Sequence, residues 1–345
     1  MTAAAPRVGV ALCTYNGAPY LPAQLDSILA QSLPVDEIVV GDDGSSDTTL
    51  AVLEAYQARA AARGIRMEVV RHVRNLGYVL NFSDALQRSR ADIVFLCDQD
   101  DVWHTDRVRT FVARFNDDPS LLLLHGDARL VDGTGQPLGA TLLDTLRVHP
   151  AELALERSGQ ALDAILLRNF VTGATCALRR TLLPASLPVP PRWSHDEWLA
   201  VVASLQGGLD VVRECTVDYR QHGGNQIGAS RRSFLQRLRA LDLLDAQARS
   251  RTAERLHGLR TLLEIRQVKL APAQWQGLEG IAWRMAWSRL RLYRREGVGG
   301  AWIVHDAPRL LARILNACLA GAGWRGAAAA CRGAWAGLRG HGLPD

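Results

Sequence analysis

The ten residues from Phe95 to His104 read FLCDQDDVWH. The first three close an apolar run, ADIVFLC (91–97), of the length expected for one buried strand. The next four, Asp98, Gln99, Asp100 and Asp101, place three carboxylates in four positions. Extended backbone sends alternate side chains to the same side, so Asp98 and Asp100 are expected to point together. Two close carboxylates repel, and one normally keeps a proton unless a cation joins them. Mg2+ or Mn2+ prefers oxygen ligands and bridges one or two carboxylates to substrate phosphates. Helix capping accounts for one acid at a strand–helix junction, not for three in succession.

The preceding sequence repeats this plan. RVGVALC (7–13), EIVVGDD (37–43) and IRMEVVRH (65–72) are strand-like. LPAQLDSILAQS (21–32), SSDTTLAVLEAYQARAAARG (45–64) and NFSDALQRS (81–89) are helix-like; Ser and Asp cap the second, and Gly64 ends it. Such alternation predicts an α/β fold with a mostly parallel sheet flanked by helices. Ligands bind beyond the carboxyl ends of strands in such sheets. Polar clusters fall at those ends: CTYNG (13–17), DDGSSD (42–47), RNLGY (74–78) and DQDD. Farther on, SLLLLHGDARLVD (120–132) and VTGATCALRR (171–180) read as strands, and PASLPVPPRW (184–193) as a loop. DEWLAVVASLQG (196–207) reads as a helix, and LDVVRE with TVDYRQH as a closing hairpin.

Composition narrows the class. The 345 residues are 48% hydrophobic and 22% charged, enough for a packed core. The six cysteines form no CxxC pair and read as reduced, buried side chains, not as a zinc site. The opening MTAAAPRVGVALC runs straight into a strand, and no apolar stretch approaches bilayer length, so a cytoplasmic chain is expected. Charge is uneven: residues 229–345 carry 20 Lys or Arg against 8 Asp or Glu, and residues 1–228 carry 20 against 27.

Seven stretches together resemble the family 2 inverting glycosyltransferases of GT-A fold, in particular bacterial rhamnosyltransferase-like members. They are VALCTYNGAPYLPAQLDSILAQS, EIVVGDDGSSDTT, RNLGYVLNFSDAL, IVFLCDQDDVWHTDRV, NFVTGATCALRR, SHDEWLAVVAS and DYRQHGGNQIG, which occur in the family's order within residues 7–228. The resemblance implies a GT-A catalytic domain over 1–228; residues 229–345 lie outside it, and their own pattern reads as a basic helical region. The resemblance also implies transfer of a sugar from a nucleoside diphosphate donor, dTDP-rhamnose or a UDP-sugar, to a glycan or lipid-linked glycan of a surface polysaccharide or lipopolysaccharide. The cofactor implied is Mg2+ or Mn2+.

Roles follow by position. Thr14, Tyr15, Asn16, Asp42 and Asp43 are implied to hold the nucleoside, with Tyr15 stacking on the base. Arg74, Asn75, Asp98, Gln99 and Gly173 are implied to reach the donor. Asp98, Asp100 and His222 are implied as metal ligands, Asp100 foremost, with Asp101 close by. Asp196 in SHDEWLA aligns with the catalytic base and would take the acceptor hydroxyl's proton. His195 stands where many relatives have another acid, Glu197 is the rival base, and an N-cap role for Asp196 is the plain alternative. Trp193, Trp198 and Glu197 are candidates for the acceptor site, although either tryptophan serves equally well as core.

The tail interleaves arginines with Trp283, Trp287 and Tyr293, which reads as a membrane-surface helix or as a helical cap with a solvated face. Docking to the cytoplasmic face of the inner membrane is one expectation; nucleic-acid binding is not, since no recognition motif accompanies the charge. The contrasting class is a non-catalytic nucleotide-sugar-binding or membrane-docking module. A nucleotidyltransferase shares the fold type but would lack the HDEW and YRQHGGN segments.

Overall fold

The apolar run ahead of the acids is strand β4 (Ile93–Cys97), buried at every position. It belongs to a computed structural model that describes residues 5–222 except 149, 158–160, 163–164, 166–168 and 192. The chain divides into two compact units, Met1–Arg231 and Arg232–Asp345. The second unit, and with it the basic region read at 229–345, lies outside the described residues.

Strands β1 (Val8–Thr14), β2 (Glu37–Asp42) and β3 (Arg66–Arg71) alternate with helices α1 (Leu21–Leu29), α2 (Thr49–Ala61) and α3 (Tyr78–Arg88) ahead of β4. Then come β5 (Val102–Trp103), α4 (Arg107–Asp117), β6 (Leu123–Val131), β7 (Pro137–Thr141), and short helices α5 (Leu142–Thr145) and α6 (Pro150–Arg157). Strand β8 (Ala177–Arg179), one-turn α7 (Leu183–Ser186), α8 (His195–Leu205) and β9 (Leu209–Arg220) follow. The nine-stranded sheet runs β3-β2-β1-β4-β8-β6-β9-β5, with β7 beside β6.

The first four strands pair in parallel, as their separation by helices requires. Register sets Thr14 against Asp42 and Leu12 against Cys97, so the polar ends of β1, β2 and β4 share one rim. Beyond β4 the sheet is mixed: β8 is antiparallel to both β4 and β6, whereas β9 is parallel to β6 and antiparallel to β5. Val10, Leu12, Ile38, Val40 and Phe95 fill the core against Leu21, Leu25, Ile28 and Phe111.

Two expectations are corrected. LDVVRECTVDYR is one twelve-residue strand, not a hairpin. No residue suited to positive φ separates its halves, and the exposed Arg213 and Glu214 lie where the β6 pairing shifts register. In VTGATCALRR only Ala177–Arg179 is strand; Gly173–Thr175 is a 3-10 turn, with Thr175 and Cys176 amides donating to the Thr172 and Gly173 carbonyls.

Glu37 opens β2 with no exposed surface. Its Oε1 accepts from the Ser89 hydroxyl (2.6 Å) and the Arg90 and Ala91 amides (2.7 and 2.9 Å), and Oε2 accepts from Arg66 (3.1 Å). Burial alone would push its pKa up; these hydrogen bonds and the Arg66 charge outweigh it and hold the carboxyl below the ordinary glutamate range. A depressed folded-state pKa stabilises fully above the unfolded value and loses that contribution as pH falls through the folded one. The unfolding free energy should therefore decline as pH drops below about 4.3. In Glu37→Gln, urea denaturation across this range should show less stability at pH 7 and a shallower acid limb.

Candidate active site

The acid motif sorts itself by alternation. Gln99 and Asp101 are committed to neighbouring backbone, and Asp98 and Asp100 are left for the crevice. Gln99 Oε1 accepts from Thr14 Oγ1 (2.7 Å) and the Tyr15 amide (2.8 Å), and its Nε2 donates to the Tyr15 carbonyl (3.2 Å). Asp101 is buried, and its Oδ1 accepts from the Arg220 amide (3.0 Å). Its Oδ2 has no hydrogen-bond partner among the described residues. Burial, then the charges of Asp100 and Asp98, push its pKa well up, and through the Arg220 amide Asp101 braces the motif against β9.

Asp100 Oδ2 lies 2.8 Å from His222 Nε2, and the imidazole stacks on Tyr20 with centroids 4.5 Å apart. Arg220 donates through Nε to the Asp100 carbonyl (2.7 Å) and through Nη1 to the Gly133 carbonyl (3.1 Å). The Asp98 carboxyl has no hydrogen bond or ion pair among the described residues. Burial, then Asp100 and Asp196, push its pKa up to about 7. Asp196, almost a hundred residues away in sequence, thus faces the same acids.

On the other side of the rim, Tyr15 is 43% exposed and free to stack on a ring. Asn16, at φ 50°, latches two loops: its Oδ1 accepts from the Ser46 amide (2.8 Å) and its amide donates to Ser45 Oγ (2.9 Å). Asp42 Oδ2 accepts from the Ser45 amide (3.0 Å), while its buried Oδ1 has no partner among the described residues. The Asp43 carboxylate accepts from the Leu76 and Gly77 amides (2.7 and 2.9 Å), which draws in the loop carrying exposed Arg74 and Asn75. Asn16, Asp43 and Gln99, read from sequence as donor contacts, therefore spend their polar groups on shaping the loops.

Gly17 is needed for this closeness. A Cβ there would stand 2.0 Å from Gln99 Oε1 and 2.9 Å from Thr14 Oγ1. Gly17→Ala should displace the Gln99 amide and cost about 1–2 kcal/mol of stability through lost hydrogen bonds. In a double-mutant cycle by urea denaturation, Gln99→Ala should then add little to Gly17→Ala, because both remove the same bonds.

Asp196 stands in the first turn of α8, whose N-cap is Ser194, and its carboxylate serves a first-turn amide from inside the helix. Its Oδ2 accepts from the Gly173 amide (3.1 Å) and its Oδ1 from the Glu197 amide (2.7 Å). His195 is buried, stacked on Phe82 (4.1 Å between centroids) and edge-on to Tyr78 (5.8 Å). Neither ring nitrogen has a hydrogen-bond partner among the described residues, and burial pushes its pKa down, so the ring is neutral and packs like an aromatic. A Cβ on residue 173 would lie 2.9 Å from His195 Nε2, which explains the glycine there. Gly173 thus seats Asp196 and His195.

Residues 9–180 match the family profile described as glycosyl transferase family 2. The chain belongs to this family. A relative, an uncharacterized glycosyltransferase of Nostoc sp., is 24% identical over 222 residues, covering 64% of this chain and 66% of that protein. The chain spans 57–66% of the length of the first curated relatives it matches. Among solved structures, the mannosyltransferase PcManGT of Pyrobaculum calidifontis, in complex with GDP-Man and Mn2+, has a TM-score of 0.51 at 17% identity, covering 92% of this chain and 86% of that one. TarS residues 1–349 of S. aureus, with UDP-GlcNAc, gives 0.50 at 16%, covering 91% of each. These likenesses show the shared GT-A fold.

Within this family 2 site, the expectation for the tryptophans is corrected. Trp198 is 1% exposed and donates through Nε1 to the Ser186 carbonyl (2.6 Å). Trp193, at 6%, packs edge-on against it with centroids 5.5 Å apart. Both are core, Trp198 on the inward face of α8 and Trp193 packed against it just ahead of the helix, and neither offers a ring to an acceptor. The aromatic that does border Asp196 is Tyr78, which sequence reading passed over. Its hydroxyl pKa is pushed up by burial, then by Asp196 and Glu197. Only its place in RNLGY, directly after a strand-end cluster, could have signalled it.

No group of three or more His, Cys, Asp or Glu forms a ready-made metal cage among the described residues. The donor set is nonetheless chemically apt. A carboxylate pair, one member unpartnered, suits a hard divalent cation that completes its sphere with water and phosphate oxygens. Among the described residues, no helix is long and apolar enough to cross a membrane.

Proposed function

We propose that this chain is a metal-dependent inverting glycosyltransferase that moves a sugar from a nucleoside diphosphate donor to a hydroxyl of a glycan acceptor. The observation that carries this is Asp98: a desolvated carboxyl without a hydrogen bond among the described residues, flanked by Asp100 and Asp196. Such crowding is unfavourable for a folded protein alone and becomes favourable when a cation and a positively polarised anomeric centre occupy the space between. Asp98 and Asp100 would hold Mg2+ or Mn2+, with His222, 2.8 Å from Asp100, beside them. The cation would neutralise charge on the departing diphosphate.

The chain's own residues supply the rest. Tyr15 offers its exposed ring to the base, and Asp42 shapes the loop through the Ser45 amide. Asp196, held by the Gly173 and Glu197 amides, would take the acceptor's proton as its oxygen attacks the anomeric carbon from the side opposite the diphosphate. A sugar of the dTDP-rhamnose or UDP-sugar type, and a surface polysaccharide acceptor met at the inner face of the membrane, fit the sequence resemblance. The nucleotide sugars in the PcManGT and TarS complexes support a donor of this class.

The test is a panel of dTDP-, UDP- and GDP-sugars, each with and without Mn2+, scored by thermal stabilisation of the full chain. At least one donor should raise Tm only when the metal is present. Stabilisation by no donor, or by donors irrespective of metal, would remove the basis for this function.

A further inference from the structure

Arg107 opens helix α4 and has no exposed surface, a costly place for a cation. Its guanidinium lies over three aromatic rings: Trp103 at 4.7 Å, Phe111 at 5.1 Å and Phe95 at 5.5 Å. Nη1 donates to Thr216 Oγ1 (3.1 Å), and Nη2 donates to the Ala174 carbonyl (3.0 Å). Burial lowers its pKa to about 10, so it stays charged at neutral pH. Replacing a buried charge by an apolar residue of similar volume is often neutral or stabilising, so packing alone does not explain an arginine here.

Its partners show what it holds. Ala174 lies in the turn Gly173–Thr175, and the Gly173 amide holds Asp196. Thr216 lies on β9, which continues to the Arg220 amide that holds Asp101 and to His222, which meets Asp100. Phe95 and Trp103 stand on β4 and β5, one before and one after the acid motif. The guanidinium therefore bonds to both supports of the site and packs against the strands that carry its acids.

We infer that Arg107 is a positioning residue for sugar transfer: from beneath the crevice it ties the turn that seats Asp196 to the strand that seats Asp100 and Asp101. This rests on the proposed role of Asp196 as base. The fork geometry matters here as well as the charge, because one side chain must reach a hydroxyl and a carbonyl on different elements.

The experiment compares the full-length wild type with Arg107→Met, Arg107→Lys, the core control Val112→Ala on the same helix, and Asp196→Asn. Arg107→Met should fold with a thermal midpoint near that of wild type and bind donor with Mn2+ within about threefold, yet lose about 100-fold in kcat, the scale of a base displaced by about 1 Å. Arg107→Lys should recover only a small part of that loss. A folded Arg107 variant with kcat within about threefold of wild type would overturn the inference. So would a kcat loss no greater than that of Val112→Ala at the same loss of midpoint, or failure of both Arg107 variants to fold. If Asp196→Asn is inactive while Arg107→Met is active, the inference on Arg107 fails alone. If Asp196→Asn turns over normally, the base assignment fails first.

Discussion

Asp196→Asn is expected to leave metal-dependent donor binding within about threefold of wild type and to lower turnover by about 10³-fold, within the range for removal of a general base. Donor binding should survive because the side of the crevice proposed to hold the nucleotide is built from other elements: the ends of β1, β2 and β4, knit together by Gln99 and Asn16. Turnover should not survive, because an amide cannot take a proton from an attacking hydroxyl. Both carboxylate oxygens of Asp196 accept amide hydrogens, from Gly173 and Glu197. The asparagine keeps one of these bonds and turns its NH2 toward the other donor, so a stability loss of about 1 kcal/mol should accompany the change. Glu197→Gln separates the rival base: with Asp196 intact, its kcat should fall by less than about tenfold. Initial rates and donor titrations on the same preparations decide between the two.

Asp100→Ala should abolish the metal-dependent rise in Tm on donor addition and lower kcat by at least about 100-fold. The fold should persist, because the bond that anchors this position runs from Arg220 Nε to the Asp100 backbone carbonyl, which alanine retains. His222 loses its partner but keeps its stacking on Tyr20. The neighbouring Asp101→Asn gives the sharper contrast. Asp101 acts through an oxygen that accepts the Arg220 amide, a bond that asparagine reproduces. Its kcat should stay within about tenfold of wild type. Equal losses at positions 100 and 101 would mean that the motif acts as a charge patch and not as a ligand flanked by a brace.

Much of the fold is legible in the sequence because its signals are local. Apolar runs such as IVFLC mark strands, and strand ends are recognisable by the polar residues that follow, so the rim from Thr14 to Asp98 can be written down before any coordinates exist. The division of labour along that rim is not legible. Gln99 binds Thr14 across 85 positions, and Asp101 binds Arg220 across 119, so long-range pairing decides which acids stay free. Trp193 and Trp198 misled for a related reason: flanking Asp196 in sequence says nothing of which helix face turns inward. Arg107 carries no local signal, because its aromatic surroundings come from three different elements. The β9 hairpin failed on a missing turn signal, which a stricter demand for Gly, Asn or Asp between the runs would have caught.

The central claim is that one crevice, with carboxylates on both sides of a sugar, transfers it by direct displacement. The most direct measurement is the anomeric configuration of the first-formed product, read by NMR during turnover of the donor that stabilises the protein. Displacement aided by Asp196 predicts complete inversion, absent in Asp196→Asn. Product with retained configuration, or inverted product formed at an unchanged rate by Asp196→Asn, would contradict it.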